Sequence, residues 1–410
     1  MKFGCIGEHL AHSFSKEIHN KIGDYEYELR EVAKDKLNEF MQERAFLGIN
    51  VTIPYKLDVI PHLYEISPQA EEIGAVNTIV NKDGKLYGYN TDFFGMSALI
   101  HKAGLNLNGK KVLVLGTGGT SKTAYAVAKS MGATEIITAG RTGKGDSVTY
   151  DEVYKKHTDA RIIINTTPCG MYPEIDGCPV NVDSFPLLEG AIDAIYNPLR
   201  TVFVSNVRKR GLPAEGGLYM LVAQAVYAAE KFMDKDYGTE IIDKIFSSLE
   251  AQKENIVLTG MPGCGKTTVG KILAENIGFE FIDTDQYIES KTGRHPSDII
   301  NSDGIDAFRD AESEAICEIS AKSGYVVATG GGAILRSQNI DWLKRNGKIY
   351  FLDRPIDDIV PTDDRPLSRS RDDLIKRYEE RYDIYCSTAD EIIKVASGAH
   401  EVAEEILNKR

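Results

Sequence analysis

Apolar and polar positions alternate along this chain in a repeating rhythm. Short buried-type runs, "KVLVLG" (111–116), "EIITAG" (135–140), "RIIINTT" (161–167) and "AIDAIY" (191–196), are separated by stretches with helical spacing. Continuous apolar runs of that length predict strands buried on both faces, and their alternation with helices predicts a parallel sheet covered by helices. The rhythm restarts at "NIVLTG" (255–260), "YVVATGG" (325–331) and "KIYFLD" (348–353). Between the two series lies "IIDKIFSSLEAQKEN" (241–255). Its first part reads as an amphipathic helix, and the polar "EAQKEN" reads as a short linker. The main domain boundary is placed near Glu250. There is no internal repeat or low-complexity tract.

Size agrees with that division. A chain of 410 residues exceeds one ordinary domain, given roughly 100–200 residues per domain. The net charge of -13 argues against nonspecific nucleic-acid binding and docking on acidic membranes, but not against anionic metabolites. Six cysteines without a C-x-x-C pair suit free thiols in a reducing cytoplasm. The start lacks a signal-peptide core, and no apolar run reaches membrane-span length. A cytoplasmic protein is the expectation.

Two glycine-rich loops carry the candidate chemistry. In "VLVLGTGGTSKTA" a strand meets a helix start through Gly116, Gly118 and Gly119. Such a turn brings backbone amides and a helix dipole to a pyrophosphate. Ser121 stands at the third glycine position, and the pattern alone also fits a plain strand-to-helix turn. The next strand ends in Arg141 and Thr142, with no carboxylate. A 2′-phosphate pairs with arginine there, which favours NADP over NAD. The second loop, "GMPGCGKT" (260–267), matches G-x-x-x-x-G-K-[ST] in full, after an apolar strand and before a helical pattern. That context predicts nucleoside-triphosphate binding. Gly263, Cys264, Gly265 and Thr268 belong to the phosphate loop, Lys266 reaches the outer phosphates, and Thr267 ligates Mg²⁺.

Further motifs surround each loop. "HSFS" (12–15), "NVTIPYK" (50–56), "GAVNTIV" (74–80), "YNTD" (89–92), "INTTPCGM" (164–171), "DAIYNPLRT" (193–201) and "GGLYMLVAQA" (216–225) stand in one order with "LGTGGTS". Over residues 1 to about 245 the chain resembles shikimate dehydrogenase. The resemblance implies NADPH-dependent reduction of 3-dehydroshikimate to shikimate. Lys56 and Asp92 would be the catalytic pair. Ser13, Ser15, Thr52, Asn77 and Gln224 would hold the substrate, with Tyr196 nearby and Gly217 beside the cofactor. An ammonium stabilises the oxyanion that develops when hydride reaches a ketone, so the residue types suit the chemistry. Lys16 and Gly140 depart from the family pattern, and the second puts cofactor affinity in question.

Downstream of the second loop, "FIDTDQYIE" (281–289) is read as an extended segment with Asp283 and Asp285 on one side. One would serve the metal shell and the other an acceptor hydroxyl. "DAFRDAE", "ATGGGAIL", "DDRPLS" and "RYEERYDIY" supply Arg309, Gly330, Gly331, Gly332, Arg365 and Arg381. Over residues 255 to about 398 the chain resembles shikimate kinase. By resemblance Asp285 holds the reacting hydroxyl, Arg309 and Arg381 clamp the shikimate carboxylate, and Arg365 comes from a closing lid. The stretch from "FLDRP" to "DDRPLS" is shorter than the family's, which puts nucleotide affinity in question.

The expected architecture is therefore α/β throughout. A two-lobed dehydrogenase has residues 1–92 plus 216–248 as substrate lobe and 93–215 as Rossmann-like NADP lobe. A linker at 249–254 leads to a P-loop kinase domain with a parallel sheet at 255–410. The expected ligands are NADPH, ATP, Mg²⁺, 3-dehydroshikimate and shikimate, with neither nucleic acid nor membrane. The alternative is an active kinase joined to a non-catalytic, shikimate-sensing module.

Overall fold

Three separate sheets carry the chain, each matched to its own run of apolar sequence. The computed structural model describes residues 1–10, 14–143, 145–359, 371–396 and 398–410. These fall into two units, Met1–Leu249 and Glu250–Arg410.

The first unit contains two sheets. One is mixed, in the spatial order Tyr27–Glu31, Phe3–Gly7, Gly48–Val51, Thr78–Lys82, Lys85–Tyr89 and Glu65–Ile66. Its first three strands are parallel, and Thr78–Lys82 runs antiparallel to both neighbours. The other sheet is wholly parallel, in the order Ala214–Glu215, Gly190–Asp193, Ile162–Asn165, Lys111–Leu115, Glu135–Gly140 and Val148–Thr149. Val112, Leu113, Val114, Leu115 and Ile162, Ile163, Ile164 have no exposed surface. Each such side chain contributes roughly 1.5–3 kcal/mol by leaving water, which is why these runs carry no polar alternation.

Two helices, Thr91–Lys102 and Leu218–Met233, pack against each other within this unit. Their crossing is close because Gly95 lacks a side chain. A Cβ there would sit 2.8 Å from Met220 O and 3.1 Å from Gln224 N. The contact brings Asp92, on the first turn of one helix, near Gln224 on the other.

The next helix, Thr239–Lys253, buries Ile242, Ile245 and Leu249 in the core of the first unit. It continues through Glu250, Ala251 and Gln252, all compatible with helix. The polar stretch read as a linker is thus mostly helical, and only Glu254 separates the helix from the strand Asn255–Thr259.

The second unit is built on a five-stranded parallel sheet. Its order is Glu280–Asp283, Tyr325–Ala328, Asn255–Thr259, Gly347–Asp353 and Glu391–Lys394. The helix Lys266–Ile277 follows the central strand through the glycine loop. One sequence expectation is corrected here. Asp283 and Asp285 do not share an extended segment. The strand ends at Asp283, whose side chain caps the helix Thr284–Thr292 by accepting from Asp285 N at 3.0 Å. Asp285 therefore lies on a first helical turn. A carboxylate that satisfies an orphan helix amide outweighs continued strand pairing.

Among the described residues no helix is long and apolar enough to cross a membrane.

Candidate active sites

The first site is a cavity of about 230 Å³ in the first unit. Ser15, Thr52, Lys56, Asn77, Asp92, Tyr196, Gly217 and Gln224, each expected from sequence, line it together. Lys56 follows the buried strand Gly48–Val51, and its backbone is tied down where Val76 N donates to Lys56 O at 2.9 Å. Its Nζ donates to Asp92 Oδ2 at 2.6 Å. Asp92 lies just inside the helix capped by Asn90, so the helix dipole favours its carboxylate. The pair keeps side-chain exposures of 32% and 21%, enough for both to meet a ligand.

Not every expected polar group is free for a substrate. Asn77 Oδ1 accepts from Thr91 N at 2.7 Å, and its Nδ2 donates to Thr91 Oγ1 at 3.1 Å. Gln224 Nε2 donates to Leu221 O at 2.8 Å. Tyr196 packs edge-on to Phe14, with ring centroids 5.6 Å apart. Ser13 lies outside the described residues.

Seven lining residues lie outside the sequence-derived set, among them Asn50, Cys5 and Thr120. Asn50 accepts from Tyr27 OH at 2.7 Å and donates to Thr78 Oγ1 at 3.0 Å. Behind it, His19 stacks on Tyr27 at 3.8 Å, and burial pushes its imidazole down to about 3. Burial also pushes the Cys5 thiol up to about 12, so it remains protonated. Thr120 comes from the first glycine loop and brings that loop to the cavity.

The cofactor expectations cluster at the carboxyl ends of adjacent parallel strands, where such folds bind ligands. Gly118 precedes the helix Gly119–Ser130, and a Cβ at either glycine would meet nothing within 4 Å. Gly116 N donates to Ala139 O at 2.8 Å, fixing the loop beside the strand that leads to exposed Arg141 and Thr142. Open backbone at a helix start beside an unburied arginine fits a phosphorylated dinucleotide.

The second site is a cavity of about 470 Å³ in the second unit. Gly263, Gly265, Lys266, Thr267 and Thr268 form one end of it. Cys264, between them in sequence, is fully buried instead. Lys266 Nζ donates to Gly260 O at 2.9 Å and Met261 O at 3.0 Å. Thr267 Oγ1 donates to Asp283 Oδ2 at 2.9 Å. A hydroxyl and a carboxylate at the phosphate loop are hard oxygen donors that fit Mg²⁺, which takes few protein ligands.

Asp285, Arg309, Gly330, Gly331, Gly332 and Arg381 line the same cavity. Arg381 donates to Gly331 O at 2.9 Å. Arg309 lies against the glycine backbone, so that a Cβ on Gly332 would fall 1.9 Å from its guanidinium. Arg365 lies outside the described residues. Sequence reasoning missed Glu312, three residues beyond Arg309 and fully buried. Its Oε2 accepts from Arg309 at 2.5 Å. Asp285 Oδ1 and Glu312 Oε1 are buried without a partner among the described residues. Burial raises both carboxyls above their ordinary range, and the neighbouring Asp283 adds to the rise at Asp285. The i, i+3 spacing in "FRDAE" was the available signal for Glu312.

Known proteins divide along the same lines. Residues 5–79 match the family model of the shikimate dehydrogenase substrate binding domain, and residues 262–410 match that of shikimate kinase. The shikimate dehydrogenase (NADP(+)) of Clostridium beijerinckii is 37% identical over 263 residues, spanning 60% of this chain and 97% of that protein. Its counterpart in Clostridium perfringens is 39% identical over 271 residues, spanning 59% and 97%. Among solved structures, a chorismate mutase/shikimate 5-dehydrogenase fusion protein from Clostridium acetobutylicum gives a TM-score of 0.58 at 37% identity, covering 61% of this chain and 96% of that one. A Thermus thermophilus shikimate 5-dehydrogenase in complex with NADP(H) and shikimate gives 0.55 at 28% identity, covering 60% and 99%.

Proposed function

Since the chain belongs to the shikimate dehydrogenase family and carries a shikimate kinase domain behind it, it is a bifunctional shikimate-pathway enzyme, and we propose that it catalyses two consecutive reactions. The first unit reduces 3-dehydroshikimate to shikimate with NADPH. The second phosphorylates shikimate to shikimate 3-phosphate with ATP and Mg²⁺.

The observation that carries the first reaction is the Lys56–Asp92 contact of 2.6 Å on the cavity wall. NADPH supplies the hydride when bound along Gly116, Gly118, Gly119, Arg141, Thr142 and Gly217. Lys56 Nζ faces the substrate carbonyl, stabilises the negative charge that grows on its oxygen and delivers the proton. Asp92 holds the ammonium in place and accepts from a substrate hydroxyl. Ser15, Thr52, Asn77, Tyr196 and Gln224 surround the rest of the ring and its carboxylate, and the resemblance would add Ser13. Asn50 adds a polar wall already oriented by Tyr27.

In the second unit Lys266 and the loop amides would neutralise phosphate charge, and Thr267 with Asp283 would hold Mg²⁺, which would offset further charge on the transferred group. Asp285 orients the acceptor hydroxyl and takes its proton at the buried carboxylate. Its raised affinity for protons makes it a better base than an exposed aspartate. Arg309 and Arg381 hold the acceptor carboxylate, and Glu312 fixes Arg309. Arg365 would reach the phosphates from the lid.

A coupled assay tests both steps. Supplied with 3-dehydroshikimate, NADPH, ATP and Mg²⁺, the full chain should oxidise NADPH and accumulate shikimate 3-phosphate. Tight shikimate binding without NADPH oxidation would instead support the sensing-module reading.

A further inference from the structure

The kinase cavity is lined by one more basic side chain than the proposed reaction uses. Arg377 lines that cavity together with Arg309 and Arg381. It lies one helical turn before Arg381 on the helix Arg371–Thr388, so the two guanidiniums rise from one face. Like charges at that spacing repel and weaken a helix. Arg377 is half-buried, and among the described residues it has no hydrogen bond or ion pair. Burial, with Arg381 beside it, lowers its hold on its proton; Asp373 and Glu380 offset this in part, and Arg309 adds to it. Its cationic neighbours are thus Arg309 and Arg381, the two proposed acceptor arginines.

The charges around it are already assigned. Glu312 neutralises Arg309 at 2.5 Å. One acceptor carboxylate neutralises Arg381. Among the described residues Arg377 lines the cavity without an ion pair, and Asp373 and Glu380 offset its charge only in part.

We propose that Arg377 is a third guanidinium of the acceptor subsite and determines its specificity for strongly anionic ring acceptors. This rests on the reading of the second unit as a kinase for a hydroxylated carboxylate. The subsite then favours molecules with two anionic groups. The phosphorylated product, with a carboxylate and a phosphate, is the nearest such molecule, so Arg377 contributes more to product binding than to substrate binding.

The test uses the full chain with ATP, Mg²⁺ and shikimate, comparing the parent with Arg377→Met and Arg377→Lys. Methionine keeps an unbranched apolar stem and removes the charge; lysine keeps the charge and loses the planar fork. For Arg377→Met the KM for shikimate should rise about tenfold, with kcat within about twofold and the KM for ATP unchanged. The inhibition constant of shikimate 3-phosphate should rise by more than that. Arg377→Lys should recover part of both losses, and added salt should weaken shikimate binding less in Arg377→Met than in the parent.

An active Arg377→Met enzyme with parental constants overturns the inference and leaves the kinase reading intact. A rise confined to the KM for ATP also overturns it, because it moves Arg377 to the nucleotide. If Arg377→Met does not fold, Arg377→Lys decides. A KM for shikimate and a product inhibition constant both equal to the parent's then count against the fork; rises in both support it. Failure of the parent itself to consume ATP on adding shikimate would sink the kinase reading as well.

Discussion

The two cavities handle charge in opposite ways. In the dehydrogenase cavity the central cation and anion are bonded to each other, Lys56 to Asp92, and the amides of Asn50, Asn77 and Gln224 already have protein partners. In the kinase cavity Asp285 Oδ1 and Glu312 Oε1 are buried without partners, and Arg377 lines the same cavity without an ion pair, both among the described residues. Hydride addition to a ketone develops one negative charge on one oxygen, and a fixed proton donor answers it. Moving a phosphoryl group between anions needs charge held ready for ligands that bring their own.

Separate knock-outs would break this comparison most sharply. Lys56→Met should lower kcat for NADPH oxidation by roughly 10²–10⁴-fold and leave shikimate-dependent ATP consumption within about twofold. Asp285→Asn should do the reverse, with a similar loss in the kinase alone. If either substitution silences both reactions, the two sites are not chemically independent.

Stability offers the next contrast. Glu312→Ala leaves Arg309 charged, largely buried and unpaired. Removing one partner of a buried pair costs about 3–5 kcal/mol, so amide exchange within residues 250–410 should quicken. Gly95→Ala probes the first site instead. A methyl pressed against Met220 O should cost about 1–3 kcal/mol. It should also raise the KM for 3-dehydroshikimate, because the helix carrying Gln224 must give way, and the kinase constants should stay put.

The smallest effect is a pH dependence. Burial raises the Asp193 carboxyl to about 7, against bonds from Thr201, Ile195 N and Asn165 that favour ionisation. Its folded value exceeds its unfolded one. Its contribution to stability is therefore complete below about pH 4 and is lost as pH climbs to about 7. His19, lowered to about 3, acts in the opposite sense between about pH 3 and 6.5. Subtraction isolates Asp193: the stability of Asp193→Asn relative to the parent should rise between pH 4 and 7, read from denaturant midpoints.

Much of the design was legible in the sequence, and the reasons are local. The buried strands showed because uninterrupted apolar runs have few other uses. The phosphate loop showed because its spacing, strand and helix are contiguous. Lys56, Asp92, Arg309 and Arg381 came only through a resemblance carried by whole motifs; no periodicity singled them out. What stayed hidden was relational. Asn50 matters through Tyr27, 23 residues away. Glu312 matters because it is buried under a glycine turn, and Arg377 because three guanidiniums meet in one cavity. The misreading of Asp285 had a local cause: the period-two alternation of a strand was carried two residues past Asp283, whose side chain already caps a helix.

Cys5 bears on the choice of covalent probes. It lines the cavity that holds Lys56 and Asp92, yet burial pushes its thiol up to about 12. Alkylating reagents and peroxide attack thiolates. An acrylamide or chloroacetamide built on a shikimate-like ring would therefore be delivered beside this sulfur and fail to label it. In this pocket proximity to a cysteine is no guide to covalent inhibition, and an electrophile must be designed for a different atom.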